Sequence, residues 1–331
     1  MDEKTPFILG IDLGGTKSAA LIATAAGDVL HRVAAPTPVA GGAAAVVPFL
    51  INLARQVLAQ SSGPVAGVGV SAGAPASARQ GRVYTAPNLP GWDAWPGADG
   101  DDGVPLAVLL SEALGGLPVL LDNDANATAL AEHRFGAGRG VSDMAFLTVG
   151  TGIGAGLILS GQLHRGFAEA AGEIGHVAVE PDLERARPCA CGLRGCLEAY
   201  ASGPSLVRIA QESGFVGETT GPAVVAAARA GNPACLHAVA QAGEMLGRGI
   251  AALCMVTNPE RVVLGTLAVH AGDLLLPIIE RVVRERTWPR IHENLRIVPA
   301  ALGDRAQDLA AVCVWLASKE AAGEAGTAAV Q

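Results

Sequence analysis

Three cysteines crowd into one short stretch, Cys189-Ala190-Cys191-Gly192-Leu193-Arg194-Gly195-Cys196, downstream of Gly172-Glu173-Ile174-Gly175-His176. One imidazole and three thiols, on loops that glycines allow to turn tightly, form a ligand set for tetrahedral Zn²⁺. Four protein ligands leave no open coordination position, so such a metal is structural. Glu173 and Glu198 flank the cluster. They read either as surface carboxylates or as hydrogen-bond acceptors for a polyol, held in place by a metal-pinned loop. A second chemistry is written into Asp12-Leu13-Gly14-Gly15-Thr16-Lys17. Glycines there let backbone N–H groups approach phosphate oxygens, Thr16 and Lys17 add a hydroxyl and a cation, and Asp12 can hold Mg²⁺. Gly150-Thr151-Gly152-Ile153-Gly154 is a similar turn. Each alone is equally an ordinary hairpin; the pair carries more weight than either. In Leu121-Asp122-Asn123-Asp124-Ala125-Asn126, a strand runs into an Ala-rich helix. The helix dipole there favours the ionised form of Asp124, which can accept a proton. Simple N-capping is the structural alternative, although the run holds more polar groups than a cap uses.

These residues need a frame. Phe7 to Ile11, Ala19 to Thr24 and Val29 to Val33 are apolar runs separated by turn residues, an antiparallel meander. The same punctuation returns about 136 residues later, with runs at Ala145 to Val149 and Ala155 to Leu159 and a turn at Ser160-Gly161, which points to an internal duplication. Helical stretches follow each meander, among them Pro48 to Gln60, with Pro48 in its first turn, and Pro222 to Ala230. Short strands at Val65 to Val70, Pro118 to Leu121 and Arg261 to Leu264 alternate with helices. The class is α/β, built twice, with two phosphate-holding turns facing across a cleft. The Gly115-Gly116 turn marks the expected boundary: a small domain over 1–117 and a larger one over 118–303 that carries the zinc loop. A C-terminal helix from about 304 to 331 is expected to pack back on the first. Residues Trp95 to Gly103 read as an acidic surface loop, and the tail beyond Ser318 as fraying at its end.

Composition narrows the function. The net charge of -8 argues against a nucleic-acid surface. No run of about 18 apolar residues suggests a membrane span, and the start of the chain has no signal-peptide layout. Cys235, Cys254 and Cys313 sit singly in apolar helical stretches, as small core residues do. The expectation is a reduced, cytoplasmic protein with no nucleic-acid partner and no membrane contact.

Taken together, Asp12-x-Gly-Gly-Thr-Lys17, Asn123-Asp124, Glu173-x-x-His176 and Cys189-x-Cys-Gly-x-x-Gly-Cys196 resemble the ROK family (repressors, open reading frames, kinases), from Leu9 to about Val312. Within it, Ala86 to Trp92 and Cys196 to Gly203 are similar to bacterial glucokinases. The resemblance implies a duplicated actin/hexokinase-like (ribonuclease H-like) fold whose two domains close over ATP and sugar in a central cleft. It implies Asp124 as catalytic base, and Asn88, Asn123, Glu173, His176 and Glu198 as ligands of sugar hydroxyls. His176 also ligates zinc with Cys189, Cys191 and Cys196. Asp12, Gly14, Gly15, Thr16, Lys17, Thr151 and Gly152 face the nucleotide phosphates and Mg²⁺, with Gly265 on the nucleotide side. The implied activity is transfer of the ATP γ-phosphoryl group to a hexose 6-hydroxyl, glucose first. N-acetylglucosamine, N-acetylmannosamine, mannose, allose and fructose stay open as substrates, as does polyphosphate as donor. A homodimer or higher homo-oligomer is the family expectation. Repressors of the family carry an N-terminal helix-turn-helix, and few residues precede the first strand here; a catalytically inactive sugar-binding regulator is the other rival. Two departures bear on the site. The family usually has Pro-Gly where this chain has Gly73-Ala74, so either Ala74 lies on the sugar or a one-residue slip puts Gly73 there. The nucleotide-side strand usually ends Gly-Gly, whereas here Thr266 follows Gly265.

Overall fold

The computed structural model describes residues 6–93, 95 and 102–328. It divides into two compact units, Met1–Phe135 with Leu302–Gln331, and Gly136–Ala301. Most of the expected acidic loop at 95–103 lies outside the described residues.

In the first unit β1 (Phe7–Leu13), β2 (Lys17–Ala23) and β3 (Val29–Pro36) form the meander. Helix α1 (Gly42–Leu58), β4 (Val65–Ala72), the short pair β5 (Ala76–Ser77) and β6 (Arg82–Val83), and α2 (Leu106–Ala113) follow. Then come β7 (Val119–Asn123) and α3 (Asp124–Phe135). The sheet order is β3-β2-β1-β4-β7, with β1, β4 and β7 parallel. Strand β7 pairs with β4 from Val68↔Val119 to Ala72↔Asn123. That pairing corrects the expected boundary at 117/118. Gly115 and Gly116, with φ of 74° and 81°, merely close the α2–β7 loop, and the first unit runs on to Phe135.

Alternation along β4 explains what packs on each face of this sheet. Val68, Val70 and Ala72 join Leu9, Ile11 and Leu13 in one core with Val46, Leu50, Leu53 and Val57 of α1. Gly67 and Gly69 point the other way, toward the C-terminal helix. A Cβ on Gly67 would strike the Trp315 ring, and one on Gly69 the Ala311 carbonyl. Helix α1 begins at Gly42, so Pro48 lies inside it and not in its first turn. The buried stripe Ala43, Val46, Val47, Leu50 extends the helix N-terminally. Ala44, whose carbonyl loses its partner at Pro48, is exposed and can turn to water. By length and composition residues 39–58 could cross a membrane; instead this apolar face packs on β1, β2 and β3.

The second unit repeats the plan. Strands β8 (Met144–Val149), β9 (Ile153–Leu159) and β10 (Gln162–Leu163) form its meander. Helices α4 (Glu198–Ala201), α5 (Gly203–Glu212), α6 (Gly221–Arg229) and α7 (Pro233–Thr257) follow. The chain then adds β11 (Arg261–Leu264), α8 (Leu267–Arg286), α9 (Pro289–His292) and β12 (Arg296–Pro299) before α10 (Ala306–Ala328) returns to the first unit. The order β10-β9-β8-β11-β12 matches the first sheet strand for strand. Here lies the duplication. Cys235 and Cys254 of α7 and Cys313 of α10 are fully buried core residues. Glu132 of α3, also fully buried, accepts the Leu302 amide at 3.0 Å and fixes the point where the chain re-enters the first unit.

Candidate active site

In each unit the predicted turn residues lie at the carboxyl ends of the parallel strands, where loops are free to vary. In the first unit β1 ends in the 14–16 turn, β4 in Gly73 and β7 in Asn123-Asp124. Gly73 is the meeting point. Its amide donates to Leu13 O at 2.8 Å, and its carbonyl accepts from Asn88 Nδ2 at 2.9 Å. A Cβ built on Gly73 would lie 3.6 Å from Asn88 Nδ2 and 3.8 Å from Asp124 Oδ2. Ala74, in contrast, is 7% exposed and belongs to the α1 core. The glycine that faces the site is therefore Gly73, and the reading that put Ala74 against the sugar gives way to the one-residue slip.

Asn123 and Asp124 divide the two roles the sequence left open. Asn123 Oδ1 accepts the Asn126 amide at 2.8 Å and caps α3, while buried Asp122 accepts from Asn126 Nδ2 at 2.8 Å. Asn123 thus caps the Asn126 amide, while Asp124, the first helical residue, takes the Ala125 amide and its own. Asp124 is exposed as a residue, yet crowding by neighbouring protein makes desolvation the leading influence on its carboxyl. It raises the pKa above the usual carboxylate range, against hydrogen bonds from the Ala125 amide and its own amide. The dipole argument gave the sign of the smaller influence. Asp12 lies on the face of β1 that α10 covers. Burial, then the nearby Asp124 and Asp308 carboxylates, push its pKa up to about 7, against Arg32. Arg32 Nε itself donates to both oxygens of Asp308 at 2.9 Å.

The first glycine turn is held by a residue the sequence did not single out. Thr37 Oγ1 donates to Gly14 O at 2.7 Å and pairs with Ser18 Oγ at 2.8 Å. Gly15 is hemmed in by Asn88: an added Cβ would sit 2.5 Å from its carbonyl and 2.8 Å from its Cβ. Thr16 and Lys17 are exposed, Lys17 opening β2.

In the second unit β8 ends in the 150–152 turn and β11 in Gly265. Gly265 N donates to Leu147 O at 2.8 Å, and Thr266 Oγ1 meets Thr148 Oγ1 at 3.1 Å. Thr266 holds φ 52° and ψ -103°, a conformation that strains a β-branched residue and suits the glycine the family usually has. Thr151 is exposed at the turn. Glu198 Oε2 accepts the Ile153 amide at 2.9 Å, and a Cβ on Gly152 would lie 2.7 Å from that oxygen.

One potential ligand atom from each of His176, Cys189, Cys191 and Cys196 lies within 4.8 Å of the other three. Cys191 Sγ is 3.7 Å from Cys196 Sγ, and Cys189 Sγ 3.7 Å from His176 Nδ1. A tetrahedron with zinc–sulfur bonds of about 2.3 Å has edges of about 3.8 Å, so the donor set fits the ion. His176 Nε2 lies 3.9 Å from Glu173 Oε2, a carboxylate able to orient the ring. Burial pushes the Cys196 thiol up to about 12, whereas the Leu193 amide lowers that of Cys191.

The geometry can be set beside known proteins. The model of the ROK family matches residues 8–318. A glucokinase from Halalkalibacterium halodurans is 33% identical over 90% of this chain and 91% of its own length. A xylose repressor from Caldicellulosiruptor bescii is 31% identical over 93% of this chain and 77% of its own. Among solved structures, a ROK family glucokinase from Streptomyces griseus in complex with glucose and AMPPNP is similar at a TM-score of 0.74. It is 30% identical, covering 92% of this chain and 97% of that one. The strand order repeated in both units, the glycine turns and the His/Cys cluster thus stand with a match over nearly the whole chain: the protein belongs to the ROK family.

Proposed function

We propose that the protein is a cytoplasmic, ATP-dependent hexose kinase that phosphorylates the 6-hydroxyl of glucose. The observation that carries this reading is the placement of Asp124: it opens α3 where β7 ends, and its Oδ2 lies beside Gly73, whose carbonyl also holds Asn88. A carboxylate whose affinity for a proton is raised by desolvation is a stronger base for the hydroxyl proton at the moment of attack. The sugar oxygen forms a bond to the γ-phosphorus as the bond from that phosphorus to the bridging oxygen breaks. The electron pair leaves with ADP, and the hydroxyl proton passes to an Asp124 oxygen. Asn88, Asn123, Glu173, His176 and Glu198 are proposed to hold the sugar hydroxyls. Phosphoryl transfer is mostly alignment and charge neutralisation. Gly14, Gly15, Thr16, Lys17, Thr151, Gly152 and Gly265 are assigned to the nucleotide, and Asp12 to Mg²⁺, which when bound neutralises phosphate charge. His176, Cys189, Cys191 and Cys196 are proposed to hold a structural zinc ion, and the working form is proposed to be a homodimer.

Support for glucose comes from the glucokinase relatives. Likeness to a xylose repressor keeps a non-catalytic sugar-binding role as the second reading. A sugar panel with MgATP separates the two. The proposal expects turnover with kcat/KM highest for glucose. A tenfold preference (about 1.4 kcal/mol) for N-acetylglucosamine, N-acetylmannosamine, mannose, allose or fructose would replace glucose and leave the kinase. Sugar binding with no ATP consumption for any of them would replace the kinase by the regulator.

A further inference from the structure

Glu198 touches both the metal loop and the second glycine turn. It follows Cys196 by two residues and opens α4, a single helical turn with no side-chain cap of its own. One carboxylate oxygen accepts the Ile153 amide at 2.9 Å, and the other lies 3.9 Å from Cys189 Sγ. Its carbonyl is held by Ser205 Oγ at 2.9 Å. Just beyond α4, Gly203 N donates to Gly150 O at 2.8 Å, a second hold on the same turn. The other limb of the metal cluster grips the strand that leaves the turn. Ala155 N donates to Gly172 O at 3.1 Å, and any side chain at Gly175 would strike the Ile153 carbonyl. Leu197 N donates to Val177 O at 3.0 Å and ties the two limbs together beside His176 and Cys196.

We propose that Glu198 is a positioning residue through which occupancy of the His176/Cys189/Cys191/Cys196 site sets the shape of the 150–154 turn, and with it nucleotide affinity. This rests on the reading of that turn as a nucleotide turn. A helix of one turn owes its position to what lies at its ends. Here one end is two residues past a metal ligand and the other is closed by the Ser202 amide, which donates to the Glu198 carbonyl. A bound metal therefore anchors Glu198 from the Cys196 side, while Cys189, a thiolate when it ligates the metal, has no proton to give the carboxylate. Without metal that side keeps its backbone bonds, among them Leu197 N to Val177 O and Val179 N to Gly195 O, but loses the cross-link between the two limbs, and the hydrogen bond to Ile153 is the link that weakens.

The test uses the full-length protein, zinc-loaded or chelated, with metal content measured in every sample. It follows amide hydrogen exchange at Ile153 and the Kd of MgADP without sugar. Chelation is expected to speed Ile153 exchange and to weaken MgADP, each by about tenfold, the scale of one charge-assisted hydrogen bond. Glu198→Ala, with zinc retained, should do the same, and chelating that variant should add little. Glu198→Gln, whose amide oxygen can accept the same bond, should restore Ile153 protection. Unchanged Ile153 exchange in zinc-loaded Glu198→Ala would overturn the link, as would full protection after chelation of the wild type. Exchange that responds while MgADP affinity does not would support the link and overturn the nucleotide reading of the turn.

Discussion

Gly73 and Ala74 are adjacent, yet the fold assigns them opposite duties, and two substitutions should separate them. In Gly73→Ala the new methyl lies 3.3 Å from Leu13 O, 3.6 Å from Asn88 Nδ2 and 3.8 Å from Asp124 Oδ2. One contact is tight and the others are ordinary, and Gly73 is not among the positive-φ glycines, so alanine fits its backbone. Stability should change by less than about 1 kcal/mol, with the stiffer unfolded chain partly offsetting the crowding. The same methyl stands where the proposed sugar must meet Asp124 and Asn88. A methyl-sized intrusion in a pocket is worth about 1–3 kcal/mol, or roughly 10- to 200-fold in kcat/KM. Ala74→Gly should do the reverse. It removes a core methyl worth about 0.8 kcal/mol and adds about 0.5–1 kcal/mol of backbone entropy. The melting temperature should fall by several degrees, on the scale of about 2–4 °C per kcal/mol for a chain unit of this size, while kcat/KM for glucose stays within about twofold. Steady-state kinetics and thermal denaturation of the two variants decide the matter. Should Ala74→Gly raise kcat/KM while Gly73→Ala leaves it alone, the assignment of the site-facing glycine is wrong.

Asp124→Asn should keep the fold and glucose binding but lower kcat by at least about 10²-fold; retention of half the turnover would remove Asp124 as base. Asp12, raised to about 7 chiefly by burial, favours the folded state below the unfolded carboxyl pKa and loses that contribution as pH rises through 7. In magnesium-free denaturation, Asp12→Asn should therefore match the wild type near pH 4 and exceed it near pH 8. The gap is expected to be about 1–3 kcal/mol after solvent screening, and parallel pH curves would contradict the shift. Thr266→Gly relieves a strained φ worth about 1–3 kcal/mol and loses an exposed hydroxyl contact to Thr148. Stability should hold or rise by about 1 kcal/mol, where an ordinary threonine-to-glycine change would cost that much; a comparable loss in thermal denaturation would refute the strain. Gly15→Ala and Gly152→Ala should each weaken glucose as well as MgADP, since the added carbons meet Asn88 and Glu198; calorimetry showing a change for MgADP alone would contradict this.

Much of the frame was legible because it is local. Turn glycines between apolar runs marked both meanders, and the recurrence of that punctuation pointed to a duplication, which the two sheets show in their matching strand order. The boundary was not legible, because the membership of β7 is decided by its pairing to β4, about fifty residues earlier in the chain. Pro48 misled for a related reason: a helix interior tolerates proline where the orphaned carbonyl faces water, and exposure of Ala44 is a tertiary fact. At the site the chemistry-bearing residue types stood out, whereas their supports did not. Thr37 and Thr148 are ordinary threonines without spacing or company to mark them, and they matter through a carbonyl and a hydroxyl brought near by folding.

The glycine turns show most clearly what a sequence motif compresses. Read alone, Gly15 and Gly152 lack side chains so that phosphate can come close. In the folded chain each has a nearer reason: Asn88 already fills the space beside Gly15, and Glu198 the space beside Gly152. Both of those neighbours are proposed sugar ligands. The duplication has therefore repeated more than a strand order. In each unit it sets a polar residue, reached by a separate loop, against the second glycine of the turn. At Glu198 a shift of the carboxylate is felt at the turn through its bond to Ile153, and at Asn88 a shift of the backbone carbonyl or Cβ is felt at Gly15, which those atoms crowd. Protein interiors transmit such displacements because they are close-packed. Within each unit, then, the residues proposed for sugar and those proposed for nucleotide form one mechanical body, and sugar and nucleotide should be felt by each other even before phosphoryl transfer begins.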